Sequence, residues 1–307
     1  MTAAGTRIDV LLCTYRRPQV RETLRSLDAL ALPEGTDLRI VVSDNDETPS
    51  ARGVVEAAAA GMTVRVVYGH APARNIAVAR NAGLDRASAR GADFVVFLDD
   101  DEMAAPDWLM ELLRCARRTG ADAIFGPSLA EYGPDTPDWM RRQDHHSNRP
   151  VRRDGVVQTG HTCNALLRWR GTPWQSERFD VRRGRAGGED TEFFFRLHRR
   201  GARFEICETA VVRESVPPAR LALAWLLRRK YRSGQSYAAS ADGIRARAFL
   251  ATMAAAKTVV CAGGAAAGIW SAGRRNYWLL RGAMHAGVVA GCLSLAQPEI
   301  YGGAAAE

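Results

Sequence analysis

The sequence predicts an α/β fold with a mostly parallel sheet, followed by a helical C-terminal appendage. Short apolar and β-branched runs recur through the first 126 residues, which is typical of buried parallel strands. The first gaps between these runs are long enough to hold helices, as strand–helix alternation requires. After Pro217 and Pro218 the composition shifts to Ala, Gly, Arg and Trp, and we place the start of the appendage there. A chain of 307 residues, 47% of them hydrophobic, can bury a full core of this kind.

Five strands are predicted in this first part, with a helix in each of the four gaps. The strands are Ile8 to Thr14, Leu38 to Ser43, Met62 to Tyr68, Asp93 to Leu98 and Ala121 to Gly126. Val20, Leu24 and Leu27 recur at helical intervals in the first gap. The later helices are followed by glycines, which readily form a C-terminal cap. These glycines are Gly61, Gly91 and Gly120. The alternation predicts a parallel sheet covered by helices on both faces.

The middle of the chain shows weaker patterns. Residues 127 to 157 are rich in Pro, Asp, Arg and His without clear periodicity, which predicts a long loop of the kind that often carries function. The elements predicted beyond it are a strand from Val156 to Leu167, a Gly/Arg-rich loop from Arg182 to Gly188, a helix from Glu189 to Arg200 and a strand from Ala202 to Val212.

The charge and the cysteines narrow the class of protein. The formal charge of +8 favours an anionic partner: nucleic acid, a membrane surface or a phosphorylated small molecule. The arginines are spread over every segment and no nucleic-acid-binding motif is present, which disfavours nucleic acid. The six cysteines lie far apart without a CxxC pair or zinc-finger spacing, so we expect buried, reduced thiols. The first residues lack the pattern of a signal peptide, and we expect the chain to work in the cytoplasm.

Polar clusters follow three of the predicted strands. They are Thr14-Tyr15-Arg16, Asp44-Asn45-Asp46 and Asp99-Asp100-Asp101, the last continued by Glu102. Because parallel sheets bind ligands beyond the carboxyl ends of their strands, these clusters are expected to form one site. Carboxylates there suit a hard cation such as Mg²⁺ or Mn²⁺ that also holds phosphates. The alternative is a solvated turn before the next helix, but four adjacent acids repel one another unless a cation or an arginine compensates.

A second acidic pair, Glu189-Asp190, opens the predicted helix after Gly187-Gly188. Acids in the first turn of a helix are stabilised by its dipole, typically by about 0.3–1 kcal/mol. Capping is therefore a sufficient structural account of this pair when it is considered alone.

Five segments, in this order, resemble the motifs of family-2 glycosyltransferases. They are CTYRRP at 13–18, VSDND at 42–46, ARNIAVARNAGLDRA at 73–87, FLDDDE at 97–102 and GGEDTEFFFRLHRRG at 187–201. The resemblance, which covers roughly residues 7 to 235, implies a GT-A fold with a Rossmann-like sheet. It implies an inverting hexosyltransferase that uses a nucleotide-sugar donor, expected to be a UDP-sugar, and Mn²⁺ or Mg²⁺. With the boundary that the change of composition predicts, the chain divides into a catalytic domain at 1–216, with a nucleotide half to about 126 and an acceptor half beyond, and a helical region at 217–307.

The resemblance also implies roles for individual residues. Asp190 would be the catalytic base, and Asp101 and Asp99 the metal ligands. The residues implied in nucleotide and donor binding are Thr14, Tyr15, Arg16, Asp44, Asp46, Arg80, Asn81, Asp99 and Asp100. The candidates for contacting the acceptor or the diphosphate are His161, Asn164, Glu189, Arg228, Arg229 and Arg232. Three consecutive aspartates stand where many relatives have a spaced pair, so the division of roles among them is open.

The appendage contains two apolar runs. The first, Phe249 to Trp270, is interrupted by Lys257, and the second, Ala283 to Ala296, by His285. A lysine at the centre of a membrane span costs about 2.5–3.5 kcal/mol. We therefore predict helices at the membrane surface, with a helical subdomain or oligomer contact and a true span as alternatives. The tail resembles bacterial members of the succinoglycan glucosyltransferase type, which implies a lipid-linked or polysaccharide-precursor acceptor at the inner face of the plasma membrane.

Three other enzymatic functions are considered. A dinucleotide oxidoreductase needs a Gly-rich turn after the first strand, and a sugar nucleotidyltransferase of related fold generally carries a Gly-rich phosphate loop there. The turn reads CTYRRP, without a glycine, which disfavours both. A transferase acting on a soluble small molecule or natural product stays an alternative.

Overall fold

The computed structural model describes residues 5–295, which form ten strands and nine α-helices. The strands are β1 (Thr6–Thr14), β2 (Thr36–Asp44), β3 (Arg65–His70), β4 (Phe94–Asp99), β5 (Glu102–Ala104), β6 (Ala123–Phe125), β7 (Ser128–Glu131), β8 (Asn164–Arg168), β9 (Phe204–Ile206) and β10 (Val212–Ser215). The helices are α1 (Val20–Asp28), α2 (Arg52–Ala59), α3 (Ile76–Arg90), α4 (Trp108–Thr119), α5 (Asp138–Gln143), α6 (Glu189–Arg199), α7 (Leu223–Tyr237), α8 (Gly243–Ala267) and α9 (Ala272–Cys292).

The large sheet has the order β3-β2-β1-β4-β8-β6-β9, and β8 alone among its strands runs antiparallel to its neighbours. Alternate residues of β1 face opposite sides, as the pleat requires. Leu12 packs into a cluster with Leu24 of α1 and Leu112 of α4, whereas Leu11 packs with Leu84 of α3 and Phe194 of α6. The prediction of a mostly parallel sheet covered on both faces is confirmed.

A second, small sheet has the order β5-β10-β7, with β5 antiparallel and β7 parallel to β10. Asp100 and Asp101 connect β4 of the large sheet to β5 of the small one. The acids at the end of β4 therefore lie between the two sheets.

Several predicted boundaries are wrong. The strand predicted from Val156 is confined to β8, and residues 157–163 form a loop in which Gly160 packs so tightly on the Phe125 ring that a Cβ would overlap it. The strand predicted from Ala202 to Val212 is two strands, β9 and β10, in different sheets. The predicted long loop contains β7 and α5, whose Met140 packs on Leu226 and Leu280 of the C-terminal helices. These short elements depend on tertiary contacts that no local pattern encodes.

The helix ends follow the sequence more closely. Gly91 and Gly120 cap α3 and α4 with φ of 70° and 65°, in the left-handed region that favours glycine. All six cysteines are free; three are buried and three are half-buried. The buried cysteines are Cys115, Cys207 and Cys261, and the half-buried ones are Cys13, Cys163 and Cys292.

A buried ion cluster fixes the start of the sheet and allows a stability test. Asp9 of β1 is fully buried and accepts hydrogen bonds from Arg39 Nη2 and Arg90 Nη1, both at 2.5 Å. We expect Asp9→Ala to lower the free energy of unfolding by about 3–5 kcal/mol, because it leaves two arginines without their buried partner. Asp85→Ala is the control, since Asp85 pairs with Arg178 at the surface, and a loss of about 1 kcal/mol or less is expected there. Equal denaturation midpoints for the two variants would contradict this assignment.

Candidate active site

The register of the sheet brings the predicted polar clusters to one edge. Thr14 of β1 pairs with Asp44 of β2, and Cys13 pairs with Asp99 of β4. The three strands run parallel, so their carboxyl ends coincide. The expectation that the clusters meet is confirmed by this register.

The cluster after β2 is held rigidly. Asp44 is fully buried, and its carboxylate accepts hydrogen bonds from the Ala51 amide at 2.9 Å and the Tyr68 hydroxyl at 2.8 Å. Burial and the bond to Asp44 raise the pKa of Tyr68 to about 12, so the phenol stays a donor. Tyr68 was not among the predicted site residues, although its position near the end of β3 is a signal that could have identified it.

The residues after β1 reach toward this cluster. Thr14 is buried, whereas the Arg16 guanidinium lies 5.3 Å from the centre of the half-buried Tyr15 ring. Arg16 Nε donates to Asp46 Oδ2 at 3.0 Å. Burial raises the pKa of Asp46, but the hydrogen bonds from Arg16 and Ser50 outweigh it and hold that pKa below its usual value. Asp46 is therefore an anion that ties two strand ends together.

The acid turn, residues 99–102, is balanced by two arginines that the motifs did not single out. Arg17 Nη1 donates to Asp100 Oδ1 at 3.1 Å and also to Asp101. Arg220 Nη2, from the segment before α7, lies 3.9 Å from Asp101 Oδ2. Arg17 stands next to a predicted site residue, which is a usable signal, but nothing in the local sequence places Arg220 here.

Three of the four acids of the acid turn have pKa values above their usual range. Asp99 keeps 45% of its side chain exposed, and partial loss of hydration raises its pKa, with Arg80 opposing and Asp101 adding to the effect. Burial raises the pKa of Asp100 to about 7 against the charge of Arg17. Burial also raises the pKa of Glu102 well above its usual value. An additional cation close to these groups would stabilise their ionised forms.

Arg80 of α3 connects the acid turn to the start of α6. Its guanidinium is buried, with Nη2 3.7 Å from Asp99 Oδ1 and Nη1 paired with Glu189 Oε1. Glu189 is itself buried, and its Oε2 has no hydrogen-bond partner within residues 5–295. The Glu189-Asp190 pair thus adjoins the acid turn, although the two motifs are some ninety residues apart in the sequence.

Asp190, the next residue of α6, is held by both oxygens. Oδ1 accepts from the Thr191 amide at 2.6 Å, and Oδ2 lies 3.2 Å from His161 Nδ1. Burial raises the pKa of Asp190, but the hydrogen bond and charge of His161 outweigh it and hold the pKa well below its usual value. His161 is thereby brought to the base candidate.

The remaining predicted residues divide into two groups. Asn81 exchanges two hydrogen bonds with the backbone of Phe179, and Asn164 bonds to Trp108 and to the carbonyls of Pro127 and Ala210. Both amides thus tie elements of the fold together. The arginines of α7 form the other group: Arg228 is exposed, Arg229 lies over the Trp225 ring and Arg232 is half-buried.

Residues 5–295 contain no group of three or more His, Cys, Asp or Glu side chains that could bind a metal ion without other ligands. A cation that is bound by one or two carboxylates and by substrate phosphates does not need such a group. Asp99 and Asp101 fit that type of site, because their oxygens are hard ligands and both side chains are partly exposed at the end of β4.

Family models and a curated relative resemble the chain over most of its length. The model of the Glycosyl transferase family 2 domain matches residues 9–171, and that of Glycosyl transferase family group 2 matches residues 94–296. The succinoglycan biosynthesis protein ExoM of Rhizobium meliloti (strain 1021) is 46% identical over 299 residues, which cover 96% of each chain.

Solved structures share the fold at low sequence identity. The mannosyltransferase PcManGT from Pyrobaculum calidifontis, in complex with GDP-Man and Mn²⁺, has a TM-score of 0.64 and 20% identity over 95% of this chain and 88% of that one. S. aureus TarS 1–349 in complex with UDP-GlcNAc has a TM-score of 0.51 and 16% identity over 76% of this chain and 71% of that one. The predicted GT-A fold is confirmed by these likenesses and by the family match.

Proposed function

Because the chain belongs to glycosyl transferase family 2, we propose that it moves a sugar from a UDP-sugar to a hydroxyl of a lipid-linked or polysaccharide-precursor glycan, with inversion. Family membership makes it a glycosyltransferase; the donor, the acceptor and the stereochemistry are the proposal. The observation that carries the proposal is the convergence of the acid turn, Arg80 and the Glu189-Asp190 pair at one edge of the sheet. The acceptor class is supported by the ExoM relative, a succinoglycan biosynthesis protein.

In this proposal Asp190 is the general base. An acceptor hydroxyl is a poor nucleophile until a positioned group takes its proton, which contributes about 10²–10⁴ in rate. The acceptor oxygen then bonds to the anomeric carbon on the side opposite the diphosphate, and the electron pair of the broken C–O bond leaves with the diphosphate. Glu189 and Arg80 hold the start of α6 against the acid turn, so the base and the leaving group have a fixed separation.

Charge that develops on the diphosphate is stabilised by fixed cations without reorganisation. Arg17 and Arg220 already lie at the acid turn, and Arg229 lies over Trp225 on the adjoining helix. We propose that Asp101 and Asp99 hold Mn²⁺ or Mg²⁺, which would supply positive charge to the diphosphate oxygens when bound. The Mn²⁺ complex of the PcManGT neighbour supports this choice of ion.

We assign the nucleotide to the edge formed by Thr14, Tyr15, Arg16, Asp44 and Asp46. The nucleotide sugars bound by the two structural neighbours, GDP-Man and UDP-GlcNAc, support a donor of this class. We expect UDP or a UDP-sugar with Mn²⁺ to raise the melting temperature of the protein, since a ligand at 100 times its Kd stabilises the native state by about 2.7 kcal/mol. A thermal-shift screen of nucleoside diphosphates and nucleotide sugars, with and without Mn²⁺, checks this. If none of these ligands stabilises the protein, the proposed function is wrong.

The C-terminal region, residues 217–307 in our division, is proposed to lie on the cytoplasmic face of the plasma membrane. Of the described residues, α8 alone is long and apolar enough to cross a membrane, judged by length and composition, and 11% of its apolar window is buried in the protein. Ala254, Cys261 and Ala265 face α9. Phe249 and Val260 share one side of α8, because eleven residues are about three helical turns. They are 70% and 64% exposed, so this side is turned away from the protein. Lys257, which is exposed near the middle of α8, favours a helix lying on the surface over a span.

This placement predicts binding to anionic vesicles. We expect the protein to sediment with phosphatidylglycerol vesicles, and Phe249→Glu/Val260→Glu to weaken that binding at least about tenfold, because burying each such side chain contributes about 1.5–3 kcal/mol. Val151→Glu is the control, since Val151 is 60% exposed outside the helical region. Equal sedimentation of the three proteins would contradict the membrane assignment.

A further inference from the structure

Asp190, the proposed base, is paired with His161, and the geometry of the pair indicates a role for both residues. Oδ1 of Asp190 is already engaged by the Thr191 amide at 2.6 Å and by the Thr191 hydroxyl at 3.3 Å. Oδ2 lies 3.2 Å from His161 Nδ1, so an Nδ1–H would donate to it. The His161 side chain is 45% exposed and that of Asp190 17%, which makes the imidazole the more accessible end of the pair.

The position of His161 is fixed by its neighbours. Gly160 packs against the Phe125 ring, where a Cβ would overlap the ring carbons. Thr159 Oγ1 donates to the Thr191 carbonyl at 3.0 Å and ties this loop to the start of α6. The contact between the imidazole and the carboxylate is therefore built into the fold on both sides.

We propose that Asp190 and His161 act together as the general base: Nδ1–H of the neutral His161 donates to Asp190 Oδ2, Nε2 of the imidazole takes the proton of the acceptor hydroxyl, and the carboxylate stabilises the imidazolium that forms. The inference rests on the proposed function, because it assumes that the acceptor hydroxyl is deprotonated at Asp190 and its partner. The acceptor O–H bond breaks as its oxygen bonds to the anomeric carbon, and the pair gains one proton. His161 is in this account a positioning residue and proton acceptor that acts together with Asp190.

The chemistry of the two groups supports the pair. A general base works best when its pKa is close to the working pH. The hydrogen bond and charge of His161 outweigh the effect of burial and hold the pKa of Asp190 well below its usual value, so the carboxylate stays ionised beside the imidazole. Partial loss of hydration lowers the pKa of His161, whose side chain is 45% exposed, but the bond to Asp190 outweighs this effect and raises that pKa above its usual value. When two groups interact this strongly, the kinetic pKa belongs to the pair.

Charges from three other elements also face the pair. Arg229 of α7 lowers the pKa of His161 and Asp99 at the end of β4 raises it. Arg80 of α3 lowers the pKa of Asp190. The neutral imidazole is the active form, so kcat/KM is expected to rise with pH through the raised pKa of the pair and to level off above it.

A titration that needs no substrate tests the pairing. We expect the imidazole NMR signals of His161, assigned with His161→Asn, to titrate at higher pH in the wild-type chain than in Asp190→Asn. The signals of His70, His198 and His285 serve as internal controls, because their dependence on pH should be the same in the wild-type chain and in Asp190→Asn. The same His161 titration in both proteins would overturn the proposal.

Kinetics separate the pair from the proposed function. His161→Asn keeps an N–H donor near the Nδ1 position but cannot hold the proton, so we expect kcat/KM for turnover of UDP-glucose, or of the donor selected by thermal shift, to fall at least about tenfold. The rise of kcat/KM with pH should occur at lower pH in His161→Asn than in the wild-type chain, and nucleotide binding should be unchanged. Wild-type kcat/KM and pH profile in His161→Asn, with Asp190→Asn inactive, would overturn the pair alone. Activity in Asp190→Asn would instead overturn the assignment of the base.

Discussion

Asp190→Asn is expected to abolish sugar transfer while leaving the fold and nucleotide binding intact. The amide keeps the size of the side chain and can still contact Thr191 and His161. It cannot accept a proton from the acceptor, so the rate should fall by about 10²–10⁴, the range that general-base catalysis contributes. Steady-state transfer by the wild-type chain and the variant, together with their melting temperatures, measures both consequences.

The control for this prediction is Glu192→Gln, which removes the same charge from the same helical turn. Glu192 pairs with Arg196 rather than with the acid turn or His161. If the acids of α6 serve only to cap the helix, the two variants should lose similar, small amounts of stability, about 0.3–1 kcal/mol, and both should stay active. Wild-type transfer by Asp190→Asn would show that capping is the whole role of this carboxylate.

Asp101→Ala is expected to weaken the joint binding of Mn²⁺ and UDP by at least about 10–100-fold, which is what the loss of a group that only hydrogen-bonds to a metal ligand already costs. The cation would lose one of its two proposed carboxylate ligands. The fold should persist, because Arg17 keeps its bond to Asp100 and Arg220 keeps its pair with Glu214. Calorimetric titration of UDP in the presence and absence of Mn²⁺ measures the effect.

Asp107→Ala is the matched control, since Asp107 is an exposed aspartate six positions along the chain, at the start of α4. It removes the same formal charge without touching the acid turn. We expect its joint binding to equal that of the wild-type chain, and UDP alone to bind both variants equally. Unchanged joint binding in Asp101→Ala would remove Asp101 from the metal site.

The parallel part of the fold could be predicted because its signals are local. The run from Phe94 to Leu98 is apolar at every position, as a strand buried on both faces must be, and Gly91 supplies the helix cap before it. The stretch from Val156 to Cys163 gave a false strand, because its apolar and polar residues satisfy a strand pattern while Gly160 is needed for close packing on Phe125. Helix α5 has six residues, too few for a periodic signal, and depends on Met140 in its contact with α7 and α9.

The candidate site was predictable where residues follow strand ends or open a helix. Asp44, Asp99 and Asp190 lie in such positions, and the fold brings the acid turn and α6 together through Arg80. Whether a polar side chain faces a ligand or ties elements together depends on distant neighbours. Asn164 bonds to Trp108, 56 residues away, and Arg220 reaches Asp101 from the far side of the domain boundary that composition predicts.

Transfer of a labelled sugar with the configuration of the product determined is the most direct test of the account. The full chain would be incubated with Mn²⁺, a UDP-α-sugar and a bacterial lipid extract that carries lipid-linked glycan precursors, and the anomeric proton of the product read by NMR. The account predicts a β-linked product from the wild-type chain and no product from Asp190→Asn. An α-linked product, or equal transfer by the two proteins, would contradict it.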